Sequence, residues 1–187
     1  MGVLKNIQET IGGYFLNREV SFLKRERNII SIQEAKTVGI IFDSSDKEEF
    51  ELVKKYINYL KEMKKRVKAI GYFSNDIVPE LTYSKLEFDF FTPKQLNWYQ
   101  RPSNVFVENF INEENDVLID LNIYDRFPLR YIGAASRSKF KIGKFSDKDK
   151  NIYDMMIHQD ESKGLKYFLR QVDIYLFMIN NKEQTTN

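Results

Sequence analysis

Cysteine is absent from the 187 residues of this chain, and histidine occurs only once, as His158. Without cysteine, the chain has no disulfide, no thiolate nucleophile, no zinc finger and no iron–sulfur cluster. A single imidazole also excludes metal sites that are built from several histidines. We therefore expect neither a metal ion nor a cofactor.

Long apolar runs are also missing, because no stretch approaches 18 consecutive apolar residues. The apolar residues near the N-terminus are spaced rather than contiguous, which is not typical of a signal peptide. The formal net charge is only +2, so no strong overall field attracts DNA or anionic lipid. These absences predict a cytoplasmic protein with no transmembrane segment and no signal for DNA binding.

Glycine and proline are scarce, with eight and four residues, whereas hydrophobic residues make up 42% and charged residues 30%. This composition is typical of a folded domain and too apolar for a disordered chain. The length fits a single domain. We predict one α/β domain over residues 36–181, preceded by an amphipathic helical extension at residues 1–30 and followed by a disordered tail at residues 182–187.

Two short apolar runs, Val38–Phe42 and Val117–Leu121, are typical of strands that are buried on both faces. The first is followed by a helical pattern and a second strand, which completes a right-handed βαβ unit. Other segments with strand or helix patterns are residues 86–91, 103–112, 128–136, 139–143, 152–157 and 165–179. The sequence therefore predicts a Rossmann-like three-layer sandwich. Its mostly parallel sheet is expected to have about five or six strands, with the two apolar runs side by side inside it. An amphipathic helix at the N-terminus is expected in addition to this sandwich.

In open parallel sheets, ligands bind beyond the carboxyl ends of the strands, where the strand order reverses. The residues that follow the predicted strands are therefore the candidates for a site. The weak catalytic candidates are Asp43, Asp120 and His158, and the candidates for ligand binding are Ser44, Ser45, Asn122 and Arg126.

The segment Asp43–Ser45 precedes a predicted helix, and backbone N–H groups at a helix N-terminus can bind phosphate. No glycine of a dinucleotide or P-loop motif accompanies it. Ser45 and Glu48 have the spacing of a capping box, which explains these residues without a ligand. The cap is the preferred interpretation.

Asp120 ends a predicted buried strand, where a carboxylate can bind Mg²⁺ or act as a base. A helix cap, or an ion pair between Asp125 and Arg126, is the structural alternative and the preferred one.

His158 has an acidic residue four positions before it and another two positions after it. This grouping can form an acid–base pair, although a lone histidine in a loop is more often solvated. No serine lies in a glycine-flanked nucleophile elbow.

Basic residues surround one predicted strand, and Lys139 and Lys141 have the spacing that places two side chains on one face. The group consists of Arg137, Lys139, Lys141 and Lys144. It predicts a surface for RNA or a protein partner, or a solvated charged face, which the nearly neutral chain favours. The N-terminal helix is predicted to pack on its own domain, or to bind a protein partner or a second copy.

The segments Asp116–Leu121, Pro128–Ile132 and Ser136–Gly143 resemble an uncharacterised family of small α/β proteins found in Bacteroidetes, and Tyr153–Ile157 and Tyr167–Val172 fit this resemblance. The resemblance implies a bacterial protein but no activity. The central stretch is also similar to the N-terminal half of heptosyltransferase-type glycosyltransferases. That similarity implies a Rossmann-like unit without function, because such enzymes bind the sugar nucleotide mainly in a second domain for which this chain has no room.

Intact fold patterns without a catalytic or nucleotide motif favour a non-catalytic binding or adaptor protein. One alternative is a small enzyme that binds a nucleotide or sugar nucleotide at the strand ends, and another is an RNA- or ribosome-associated protein. Convergence of Asp43, Asp120 and His158 in one pocket would favour the enzyme, and their dispersion would favour surface interactions.

Overall fold

A computed structural model describes residues 2–75, 88–160 and 162–179 of the chain, with side chains from Ile7 onward. The α-helices in these ranges are α1 (Gly2–Phe22), α2 (Lys47–Glu62), α3 (Val105–Asn112), α4 (Phe127–Ala135) and α5 (Gly164–Met178). The strands are β1 (Thr37–Asp43), β2 (Arg66–Tyr72), β3 (Phe88–Phe91), β4 (Val117–Asp120), β5 (Phe140–Lys144) and β6 (Met155–Ile157). Short 3-10 turns lie at Pro93–Gln95 and Asp147–Asp149. No helix in these ranges is both long enough and apolar enough to cross a bilayer.

The six strands form one parallel sheet in the order β3-β2-β1-β4-β5-β6. The chain builds one half of the sheet outward from β1, then returns to the centre and builds the other half from β4. In the central pair, Val38 lies opposite Val117 and Ile41 lies opposite Asp120. The predicted α/β class and the central pairing of the two apolar runs are confirmed.

Helices cover both faces of the sheet, which gives three layers. On one face, Val38, Ile40 and Phe42 pack with α2 and α5. On the other face, Ile41 and Ile70 pack with α1, α3 and α4. Because both faces are covered, the central strands contain continuous apolar residues instead of an alternating pattern.

The N-terminal helix α1 packs on α4, and its Leu16 is fully buried in the core of that face. A close contact fixes this packing, since a Cβ atom on Gly12 would lie 2.7 Å from the ring of Phe127. The helix ends at Phe22, earlier than the predicted helical extension at residues 1–30. The cause is a tertiary contact. Arg25 lies beyond the end of the helix, where it donates to the carbonyl of Lys139 at 2.9 Å and pairs with the carboxylate of Asp154, just before β6.

Other predicted boundaries also shift. The capping box at Ser45 is wrong, because Asp46 caps α2 and accepts the N–H of Glu49 at 2.8 Å. Ser45 instead accepts the backbone N–H of Ser74 at 2.9 Å, which ties the end of β1 to the end of β2. The last strand starts only at Met155, so the residues before it form a turn. The first two residues of the predicted segment at 86–91 and the predicted tail at 182–187 lie outside the described residues.

A candidate site at the carboxyl ends of β1 and β4

The strand order reverses between β1 and β4, and each of these strands ends in an aspartate. Asp43 is 6% exposed and Asp120 is 2% exposed. An isolated buried carboxylate is unstable unless a cation or hydrogen-bond donors compensate for the lost water. The partners of these two side chains therefore define the chemistry of this edge of the sheet.

Asp43 has a cationic partner. Its Oδ2 accepts from Nε of Arg126 at 2.7 Å, and its Oδ1 accepts the N–H of Ser45 at 2.9 Å. The predicted pair between Asp125 and Arg126 is therefore wrong, because Asp125 pairs with Lys148 instead. Folding brings the end of β1 beside the loop after β4, and this contact cannot be seen in the sequence.

Among the described residues, Asp120 has neutral hydrogen-bond partners only. Its Oδ2 accepts the hydroxyl of Tyr153 at 2.5 Å, and its Oδ1 accepts the N–H of Asn122 at 2.8 Å. Burial raises the pKa of Asp120 to about 7, although these two hydrogen bonds act in the opposite direction. Burial, together with the neighbouring Asp120, also raises the pKa of Tyr153 well above its usual range. Tyr153 therefore stays protonated and acts as the donor.

Two glycines leave the space that Tyr153 occupies. A Cβ atom on Gly143 of β5 would lie 2.8 Å from the Tyr153 ring. A Cβ atom on Gly133 of α4 would lie 2.9 Å from both the Tyr153 hydroxyl and Oδ2 of Asp120. Contacts this short force neighbouring atoms to move. The strand and the helix thus both hold the Tyr153–Asp120 pair in place.

A cavity of about 200 Å³ opens over this pair, and we call it the Asp120 cavity. Its other lining residues are Asn122, Asp125, Arg130, Lys144, Phe145, Ser146 and Asp149. Arg130 donates to Asp149 at 2.5 Å, and Nζ of Lys144 donates to the carbonyl of Ile123 at 2.8 Å. Both cations are thus fixed at the cavity without neutralising Asp120.

Three further cavities share lining residues with it, and two of them are relevant to the candidate site. The Gln159 cavity, of about 500 Å³, is lined by Ile123, Tyr124, Asp125, Lys144, Gln159 and Gly164. The Arg126 cavity, of about 260 Å³, lies at the switch point and includes Tyr72, Ser74, Asp125 and Arg126 in its lining. Asp125 lines all three cavities and has a positive φ of 55°, a conformation that aspartate tolerates better than most residues.

A family model matches residues 8–179 of the chain, which includes every strand of the sheet. The chain belongs to DUF6913, a family of unknown function. No curated protein and no solved structure matches it. The resemblances to proteins of Bacteroidetes and to heptosyltransferases therefore stay predictions.

In this DUF6913 chain, the three weak catalytic candidates do not share a pocket. Asp120 and Asn122 line the Asp120 cavity, and Arg126 lines the adjacent one. His158 follows the edge strand β6, is exposed, and lines none of the three cavities. Asp43 lies beside the cavities, where it holds Arg126.

The candidate Ser44 is buried in the DUF6913 fold, and its backbone N–H donates to the carbonyl of Tyr72 at 2.9 Å. Its hydroxyl has no hydrogen-bond partner among the described residues. The candidate Ser45 has a structural contact with β2, as described above.

The predicted basic surface includes one buried residue. Lys141 is 1% exposed, and its Nζ donates to the carbonyls of Gly133 and Ala134, each at 2.9 Å. Burial lowers the pKa of Lys141 well below its usual range. Lys141 cannot contribute to an accessible surface, because β5 is an interior strand with helices on both faces.

The other basic residues of that group are separated by their contacts. Lys139 pairs with Asp116 at 3.1 Å, Lys144 lies at the cavities, and Arg137 is exposed. RNA association of the DUF6913 chain through these three side chains stays a prediction.

Sequence reasoning did not single out Tyr153, Arg130, Asp149 or Gln159 as site residues. Tyr153 was hidden because the apolar pattern of residues 152–157 predicts a strand, whereas the N–H groups of Ile152 and Tyr153 fold back onto the carbonyl of Asp149. Gly143 inside a strand was the available signal, because such a glycine often marks a close approach. Among the described residues, no group of three acidic or histidine side chains is arranged to hold a metal ion.

Proposed function

We propose that the protein binds a small polar molecule in the Asp120 cavity and that Asp120 exchanges a proton with this ligand. One observation carries the proposal: the carboxyl of Asp120 is buried at a cavity, and no described lysine or arginine forms an ion pair with it.

A purely structural role would not require this arrangement. The same sheet edge neutralises Asp43 with Arg126, so the fold is able to supply a cation to a buried carboxylate. From the described part of the chain, Asp120 receives only the Tyr153 hydroxyl and the backbone N–H of Asn122. With a pKa of about 7, both of its protonation states are populated at neutral pH, which is the condition that favours a general acid or base.

The lining offers further groups for recognition. Lys144 uses one ammonium N–H on the carbonyl of Ile123, and two N–H groups remain for a ligand. Phe145 contributes a partly exposed ring at the rim. A concave site with a few convergent polar groups and a perturbed carboxyl is the usual form of a small-molecule site.

The test is a thermal-shift screen of chemically diverse small molecules between pH 6 and pH 8, followed by titration of the hits. At 100 times its Kd, a ligand adds about 2.7 kcal/mol to the free energy of unfolding. We expect Asp120→Asn and Tyr153→Phe to weaken binding at least about tenfold, which corresponds to the loss of about 1.4 kcal/mol.

A matched control exists elsewhere in the fold. Tyr56 donates to Asp173 at 2.9 Å between α2 and α5, and neither residue lines the three cavities. Asp173→Asn and Tyr56→Phe should leave ligand affinity unchanged. Equal effects of the two pairs, or the absence of any stabilising small molecule, would refute the proposal.

A second candidate function is supported by exposed aromatic rings on α1 and in the segment between β3 and α3. Tyr14 and Trp98 are exposed, and they flank Phe15 and Tyr99, whose ring centroids lie 4.9 Å apart. We propose that this aromatic surface binds a second copy of the chain. Sedimentation over a range of concentrations should then show a dimer that Tyr14→Ser or Trp98→Ser abolishes. A monomer at every concentration would exclude this proposal.

A cytosolic location stays a prediction.

A further inference from the structure

Gln159 has an unused hydrogen-bond acceptor in the interior. The side chain is 6% exposed, and its Nε2 donates to the carbonyls of Asp160 and Gly164, each at 3.1 Å. These two bonds fix the orientation of the amide. Its Oε1 accepts no hydrogen bond from any described residue. An unsatisfied buried polar atom costs about 1–3 kcal/mol, so a donor supplied from outside the protein is expected there.

The Gln159 cavity adjoins the Asp120 cavity. The Gln159 cavity and the Asp120 cavity share Asp125 and Lys144 as lining residues. Gly164 lies at the rim with a φ of 61°, and no atom lies within 4 Å of the place where a Cβ would stand. A ligand that extends past Asp125 and Lys144 from one cavity into the other would lie beside both Asp120 and Gln159.

The polar groups along this path require a particular ligand chemistry. Gln159 needs a donor, and ionised Asp120 also accepts donors. Lys144, between them, needs an acceptor. A hydroxyl group both donates and accepts, so a chain of hydroxyls satisfies all three side chains. A fully ionised phosphate carries no O–H for Gln159, and an ammonium group has no acceptor for the N–H groups of Lys144.

Aromatic rings complete the surface. The ring of Tyr124 lines the Gln159 cavity and the ring of Phe145 lines the Asp120 cavity, and both are about half exposed. The C–H faces of a pyranose ring pack well on such amphipathic aromatic surfaces. Rings beside both cavities favour a cyclic polyol over a small inorganic ion.

We infer that the ligand of the Asp120 cavity is a neutral, sugar-like polyol that extends into the Gln159 cavity and donates a hydroxyl hydrogen to Oε1 of Gln159. This inference rests on the proposed function of the Asp120 cavity. It adds the class of the ligand and a second group of contacts.

The experiment uses the full chain and ligand-observed NMR, followed by calorimetric titration. The probes are glucose, galactose, N-acetylglucosamine and maltose, with adenosine, uridine and putrescine as comparison compounds. We expect at least one sugar to bind. Gln159→Met should weaken that binding about tenfold, because a buried neutral hydrogen bond is lost.

Matched variants separate recognition from a loss of folding. Gln171→Met changes a glutamine on α5 that does not line the cavities, and it should bind within about twofold of the original protein. Tyr124→Ala tests the ring independently of Gln159, and Tyr175→Ala, at a similarly exposed position on α5, is its control. If Gln159→Met fails to fold, the tyrosine pair decides the outcome.

The outcomes distinguish this inference from the function on which it rests. If sugars bind and Asp120→Asn weakens them while Gln159→Met and Tyr124→Ala do not, the extension into the Gln159 cavity is wrong. If only the nucleosides, putrescine or unrelated compounds bind in a manner sensitive to Asp120→Asn, the ligand class is wrong and the proposed function stands. If no compound responds to Asp120→Asn, the proposed function itself fails.

Discussion

Asp43 and Asp120 end neighbouring strands of one sheet and are buried to nearly the same degree, yet their surroundings differ. Asp43 receives the guanidinium of Arg126, whereas Asp120 receives the hydroxyl of Tyr153 and a backbone N–H. A cation compensates for the water that a buried carboxylate loses, and neutral donors do so only in part. Similar burial at two neighbouring strand ends thus yields a structural ion pair in one case and a titratable group in the other.

The largest expected effect is a pH dependence that belongs to Asp120. Its pKa rises from 3.8 in the unfolded chain to about 7 in the folded protein, so the folded state binds the extra proton between these values. The free energy of unfolding therefore falls as the pH rises from about 4 to 7, by on the order of 3–4 kcal/mol from this group. Urea denaturation should show Asp120→Asn to be more stable than the original protein at pH 8, and similar to it at pH 4.5.

The control for this pH dependence is Asp43→Asn. It should destabilise the protein at pH 8, because it removes the carboxylate that pairs with Arg126. The same substitution would thus have opposite effects at the two strand ends. Parallel stability profiles for the two variants would contradict the comparison.

The next effect comes from filling the space beside Asp120. Gly143→Ala places a methyl group against the rigid ring of Tyr153, and overpacking of this kind costs about 1–3 kcal/mol. Chemical denaturation should show this loss, and the carboxyl resonance of Asp120 should titrate at a changed pH. Gly13→Ala is the control, since nothing lies within 4 Å of its Cβ position in α1. It should stabilise the helix by up to about 1 kcal/mol.

Breaking the ion pair at the other strand end should have a smaller effect. Arg126→Met leaves Asp43 without its cation, which costs about 1–2 kcal/mol because Arg126 is partly exposed and water can replace it. The midpoint of urea unfolding measures this loss. Arg137→Met, at an exposed position before β5, should change the midpoint little. An equal loss in both variants would argue against a role for the pair.

The smallest effect concerns a contact between the loop after β4 and helix α2. Tyr124, from the loop after β4, donates to Glu49 of α2 at 2.5 Å. Tyr124→Phe should cost less than about 1 kcal/mol, because both side chains are partly exposed. Burial already raises the pKa of Glu49, and the Tyr124 hydrogen bond opposes this rise. NMR titration should therefore find a higher Glu49 pKa in the variant, and an unchanged value would show that the contact does not persist in solution.

Much of the fold was predictable because it depends on local pattern. The continuous apolar runs at Val38–Phe42 and Val117–Leu121 indicate strands covered on both faces, and the structure pairs them at the centre. Boundaries were less predictable. The helix α1 ends early because Arg25 pairs with Asp154, far away in the sequence. The cap of α2 is Asp46, one residue beyond the predicted serine.

The candidate site was predictable only in its position. The rule that ligands bind at the carboxyl ends of parallel strands correctly directed attention to the region of Asp120. It could not identify Tyr153, which lies 33 residues farther along the chain, nor reveal that Lys141 is buried. Whether a face of β5 is exposed depends on which helices pack on the sheet, and an alternating pattern does not contain that information.

The sequence by itself determined the α/β class, the two central strands and the aspartates at their ends, because apolar periodicity and the 3.6- and 2-residue repeats are local properties. Only the tertiary structure decided which aspartate receives Arg126 and which receives Tyr153. The physical reason is that the cost of a buried charge depends on the atoms that surround it in space. Those atoms come from loops and turns whose meeting no short window of sequence encodes.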